Sequence, residues 1–262
     1  MNSKLITPFL ICMCLPFLFF CKQKKPIEAQ PGKTFIIATA ALSPASIEGI
    51  ALPAGFKRDL ADSASFTYWL RKLRLKKDPT VYLYDGSPKA NQQAQYAVID
   101  LSVGNKNLQQ CADAVMRMRA EYLFSIKQFE AIRFIDNEGF SYNFQQPYTH
   151  ENLLRYLQKV FGMCGTASLA RQMKKINTEA MRAGDVWVRG GFPGHEVMVV
   201  DMASNTKGEK IYLLAQSYMP AQDIHILKNP QNSHDDPWYY VSKENLLETP
   251  EYIFKSTELK TW

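Results

Sequence analysis

The last third of the chain constrains its fold most. Residues 195–202 read His-Glu-Val-Met-Val-Val-Asp-Met, a run with little polar interruption. A strand covered on both faces reads this way, whereas a strand with one wet face alternates. Residues 185–189 read as the strand before it, 211–217 as the strand after it, and 223–227 as a third. The Gly190-Gly191-Phe192-Pro193-Gly194 loop separates the first two and is expected to line the main cleft, since glycines allow close approach of a ligand.

Upstream the periodicity changes. Ser63 is placed to cap a helix that carries Phe66, Trp69, Leu70 and Leu73 at helical spacing. Residues 81–84 and 95–103 read as strands around the turn Asp85-Gly86-Ser87-Pro88. The longest helix is expected over about 108–128, with Asn107 as cap and Gln110 in the capping-box place. Val115, Met118, Tyr122 and Ile126 form its apolar stripe, with Arg117, Arg119 and Glu121 facing elsewhere. Residues 132–135 and 140–144 make a hairpin, and helices follow at 149–161 and 166–176. Residues 34–41 are a candidate first strand. With no internal repeat and no second composition regime, residues 34–262 read as one α+β domain, helices packed on an antiparallel sheet.

The N-terminus carries a location. Lys4 precedes an apolar run over 5–20, broken by Thr7, Pro8 and Pro16; Cys21 ends it, and Lys22, Lys24 and Lys25 follow. This is the layout of a secretory signal, 1–20, and the run falls short of the ~20 residues that span a bilayer comfortably. Leu18-Phe19-Phe20-Cys21 resembles a lipobox, although Phe20 stands where a small residue is usual. Lipidation of Cys21 would tether the domain through residues 21–33 in the cell envelope, outside the cytoplasm. The alternative is an uncleaved anchor with an incidental cysteine. The net charge of +6 is scattered and not interleaved with aromatics, so nucleic acid is not an expected partner. Apart from the membrane, the expected partners are a peptidoglycan peptide or an envelope protein.

Of five cysteines, Cys12 and Cys14 leave with the leader and Cys21 takes lipid. Cys111 and Cys164 remain, either as a disulfide or as free thiols. With no CxxC and no HExxH, no metal or other cofactor is implied. Cys111 opens the long helix, where unpaired N–H groups favour a thiolate. His195 opens a strand and can serve as base; Gln216, near the end of the next strand, can orient it. Gln110 is a candidate oxyanion donor. Cys164, before a helix that Thr166 can cap, is the alternative nucleophile. His225 is read as structural, and His150 and His234 as surface residues.

Gly184-Asp185-Val186-Trp187-Val188 and Gly194-His195-Glu196-Val197-Met198-Val199-Val200 resemble the strand pair of the papain-like CHAP and NlpC-type amidases. Glu196 departs from that pattern, which prefers an apolar residue there. The resemblance implies a cysteine amidase or peptidase using Cys111, His195 and Gln216 on cell-envelope peptides. The alternative is an inactive envelope lipoprotein that binds wall peptides or a protein partner. Over most of its length the chain also resembles a family of bacterial lipoproteins catalogued as a domain of unknown function, number four-eight-four-six. The residues that carry this are 85–92, 108–123, 190–195 and 214–222. That resemblance implies export and lipidation and no particular activity.

Overall fold

The computed structural model describes residues 44–262 apart from Lys243. The leader, Cys21, the tether and the expected strand at 34–41 lie outside the described residues. In chain order the elements are β1 (Phe56–Arg58), α1 (Phe66–Lys72), β2 (Gln95–Val98), α2 (Cys111–Ser125), β3 (Arg133–Ile135), β4 (Ser141–Asn143), α3 (His150–Phe161) and α4 (Thr166–Gln172). They continue with β5 (Lys174–Lys175), β6 (Val186–Arg189), β7 (His195–Asn205), β8 (Lys210–Gln216), β9 (His225–Leu227), β10 (Tyr239–Tyr240), β11 (Leu246–Glu248), β12 (Ile253–Lys255) and β13 (Leu259–Thr261). The architecture is α+β, as the sequence predicts. No helix among the described residues is long and apolar enough to cross a membrane.

The main sheet is antiparallel, in the order β2-β9-β8-β7-β6-β13-β5, with β1 paired to β7 and β10 to β8. Its spine, β7, is covered on both faces. Met198, Val200 and Ala203 join the core beneath α1, α2 and α4. Val197, Val199 and Met202 join a second core with Trp187, Leu214 and Phe254 of the β11–β12 hairpin.

Helix starts follow side-chain chemistry more closely than spacing does. Ser65, not Ser63, caps α1, because its hydroxyl accepts the Tyr68 N–H at 3.2 Å. Gln110 caps α2 in place of Asn107, and Asp113 closes the capping box by accepting the Gln110 N–H at 2.9 Å. Asn107 instead accepts the Ala221 N–H at 2.8 Å, which ties the approach to α2 to the segment after β8. The sequence predicts one wet face for α2, yet Arg117 is buried, pairing with Glu121 at 2.7 Å and reaching Gln109. The sheet on one side and α3 and α4 on the others enclose the helix. Residues 81–84 form isolated bridges rather than a strand, since the Leu83 N–H already bonds the Ser87 carbonyl across the turn.

A buried carboxylate fastens the outer elements to the spine. Asp201 lies at a bulge in β7 and is fully buried. It accepts Nε of Arg58 on β1 at 2.7 Å and Nε of Arg71 on α1 at 2.5 Å. Asp201→Ala strands two guanidinium groups, and we expect it to lower the unfolding free energy by about 3–5 kcal/mol in urea titrations followed by circular dichroism.

Candidate active site

The start of β7 meets the end of β8, and a tight turn delivers His195 there. A Cβ on Gly194 would lie 2.3 Å from the Gly191 carbonyl and 2.6 Å from Thr166 Oγ1, so this position requires glycine. His195 and Gln216 are each 1 % exposed. Nε2 of His195 lies 2.8 Å from Oε1 of Gln216. The other end of that amide, Nε2, is 2.7 Å from Oε2 of Glu251 and 3.4 Å from Nε2 of His225. Glu251 also accepts Nζ of Lys89 at 2.6 Å and Nδ2 of Asn91 at 3.0 Å.

This row assigns its own protons. Nδ1 of His225 lies 2.9 Å from the Asp223 carbonyl, which accepts and cannot donate. Neutral His225 therefore carries its proton on Nδ1 and presents Nε2 as an acceptor. An ionised Glu251 is an acceptor as well, so the Gln216 group facing both must be its NH2. Its carbonyl then faces His195, which must donate from Nε2 and keep a bare lone pair on Nδ1. No hydrogen bond among the described residues engages that Nδ1.

Cys111 is the first residue of α2 and 9 % exposed. Its helix is anchored beside the end of β8, where Oγ of Ser217 donates to the Gln109 carbonyl at 3.0 Å. Tyr218 bridges the two halves of the site. Its ring centroid lies 4.5 Å from that of His195, and burial, then Glu251 and Cys111, raise the Tyr218 phenol. No hydrogen bond joins Cys111 to His195 among the described residues. Gln110 donates its side-chain amide to Asn107 at 3.2 Å.

The expected lowering of the thiol pKa is reversed. Burial, then the carboxyl of Glu196, push Cys111 up to about 12; the N–H groups of Ala112 and Cys111 pull weakly the other way. Burial likewise pushes His195 down to about 4, against the Gln216 bond that favours its charged form. At rest Cys111 is thus a thiol and His195 a neutral imidazole. Cys164 is also a buried free thiol, pushed up to about 11 by burial and then Asp136, so the two cysteines form no disulfide.

Glu196, the departure from the amidase pattern, is fully buried, and neither carboxyl oxygen has a hydrogen-bond partner among the described residues. Burial and then Asp113 raise it well above the ordinary range; burial raises Asp113 to about 8. The Asp113 carboxyl is therefore largely protonated near neutral pH.

Cavities of about 180, 560, 90 and 330 Å³ among the described residues are lined by segments other than the glycine loop. Tyr218 and Tyr252 fill the space against the imidazole, the latter with its centroid 5.0 Å away. The Tyr252 hydroxyl also donates to the Pro193 carbonyl at 3.3 Å, pinning the loop, while Phe192 at its tip is 94 % exposed. His225 is buried, as expected, but as part of the polar row; His150 and His234 are exposed beside Glu121 and Asp235. Sequence reasoning missed Glu251, Tyr218 and Tyr252. Lys89 closes the motif at 85–89 but has no local feature that marks its partner.

Two outcomes follow from these surroundings. Iodoacetamide should label Cys111 of the folded protein more slowly than a free cysteine at pH 7.5, with no rate plateau below about pH 10; a plateau near pH 7 would place the thiolate in a different environment. For Glu196 the folded pKa is raised, so folding from an ionised unfolded chain takes up a proton. That cost is absent below the unfolded pKa and grows as pH rises towards the folded one. Glu196→Met should therefore raise the melting temperature, by more at pH 8 than at pH 5.

No curated protein and no solved structure matches the chain. The family described as Domain of unknown function (4846) matches residues 47–148 and 143–261. These two stretches take in nearly all of the described residues, and the chain belongs to that family.

Proposed function

We propose that the domain is a papain-like cysteine amidase or peptidase, with Cys111 as nucleophile, His195 as base and then acid, and Gln216 orienting the imidazole. We further propose that lipid on Cys21 holds it in the cell envelope and that its substrate is an amide bond of a cell-envelope peptide. The observation that carries this reading is the 2.8 Å bond from His195 Nε2 to Gln216, which leaves the Nδ1 lone pair without a hydrogen-bond partner among the described residues.

Because both groups are neutral at rest, proton transfer ahead of attack is unfavourable. The thiol proton passes to Nδ1 of His195 as the sulfur bonds to the substrate carbonyl carbon. The imidazolium then protonates the leaving amine as the C–N bond breaks, giving a thioester on Cys111. Water, deprotonated by the same nitrogen, hydrolyses the thioester and restores the thiol. No cofactor enters these steps.

The second reading, an inactive domain that binds wall peptides or an envelope protein, is favoured by one feature: His195 is almost fully covered. Purified muropeptides separate the two. Mass spectrometry should detect new amine and carboxylate ends with the intact protein, and none with Cys111→Ser. His195→Ala should cut turnover by about 10²–10⁴-fold, while Cys164→Ser leaves it unchanged. Binding of muropeptides without any cleavage would replace the hydrolase with the binding domain.

A further inference from the structure

We propose that Glu251, clamped by Lys89 and Asn91, is a positioning residue that decides which face of the Gln216 amide, and so which nitrogen of His195, is available for chemistry. The consequence for turnover rests on the hydrolase reading; the effect on the imidazole does not.

A glutamine amide presents an acceptor at one end and a donor at the other, and rotating it by half a turn exchanges them. Facing a neutral imidazole alone, either orientation finds a partner. With the carbonyl towards His195, Nε2 must carry the proton. With the NH2 group towards it, Nε2 must accept, and the proton moves to Nδ1. The second state removes the lone pair that would take the thiol proton.

Glu251 breaks this degeneracy. Its Oε2 sits 2.7 Å from Gln216 Nε2, and an amide carbonyl turned to that position would face a carboxylate with no proton between them. Held in reserve behind it is His225 Nε2, a weaker acceptor at 3.4 Å. The carboxylate is held in place by Nζ of Lys89 at 2.6 Å on the same oxygen and by the Asn91 amide at 3.0 Å on the other. These three partners come from two distant stretches. Lys89 and Asn91 follow the turn at 85–88, whereas Glu251 lies in the link between β11 and β12, and both reach the end of β8 from outside the sheet. A pair whose sole task was to stabilise a loop has no need to meet at the amide that faces the histidine. Lys89 is itself 7 % exposed, so the clamp is built into the fold.

The test is the tautomer of His195, read from ¹⁵N chemical shifts in protein labelled at histidine. A protonated ring nitrogen and a bare one resonate far apart, so the two forms are distinguished directly. In the wild type Nε2 should be protonated and Nδ1 bare. In the double variant Glu251→Leu/Lys89→Met, which removes both charges and keeps the bulk, the Nδ1–H form should appear. Hydrolysis should then fall about ten- to hundredfold in kcat with little change in KM. Glu251→Gln, whose own amide can present either end, should shift the tautomer part of the way. Glu248→Gln, an exposed change on the same hairpin, should shift nothing.

Folded variants in which His195 keeps the wild-type tautomer would overturn the inference. So would a wild type whose proton sits on Nδ1, a result that needs no variant to fold. Should the tautomer respond while Cys111→Ser still cleaves, the hydrolase reading built on Cys111 fails and the role of Glu251 stands.

Discussion

An eleven-residue strand covered on both faces leaves no neutral position for a side chain, and β7 is that strand. Every residue along it must be apolar, paired, or placed for a reason beyond packing. Met198 and Val200 face the helices, and Val197 and Val199 face the hairpin. Asp201 is the paired exception, and it fastens β1 and α1 to the sheet. His195 and Glu196 are the two polar groups left at the opposite end. A buried imidazole that is hydrogen-bonded and a buried carboxyl that is not both cost stability relative to an apolar residue. A fold that keeps them at the mouth of its central strand has concentrated its unfavourable burial in one place.

The polar row through Gln216 is the part of that place with a definite chemical sense. A backbone carbonyl sets His225, His225 and Glu251 set the amide, and the amide sets His195. Each link is a hydrogen bond whose donor is dictated by the one before it, so the order of protons survives in a low-dielectric interior where a wrong orientation is expensive. On the other face of the strand, burial first and then the carboxyl of Glu196 hold the thiol of Cys111 protonated. The imidazole is therefore oriented and neutral, and the thiol is protonated.

How much of this was legible in the sequence depends on range. The strand over 186–189 and the one opened by His195 were readable because unbroken apolar runs have one structural meaning, and Gly194 marks a turn that a side chain would block. The hairpin at 133–143 rests on local turn chemistry and was equally readable. The caps of α1 and α2 were displaced by two and three residues, because several polar side chains competed and the winning hydrogen bond was decided by geometry. The strands after residue 227 escaped notice because each spans two or three residues, too few to show a period. Cys111, His195 and Gln216 stood out by their places at element ends. Glu251 could not, since what gives it meaning is contact with residues 35 and 162 positions away. Burial, which sets both pKa directions, is equally a property of the assembled core rather than of the helix start that Cys111 occupies.

The central claim is that Cys111 carries the acyl group of a substrate whose amide bond is broken. Rapid acid quench of the protein during incubation with muropeptides, followed by proteolysis and mass spectrometry, measures this directly. The account predicts an acyl mass on the peptide containing Cys111, absent from the peptide containing Cys164, and lost after hydroxylamine treatment as a thioester would be. Cleavage of the substrate with the acyl group on Cys164, or with no acyl group on either cysteine, would contradict it.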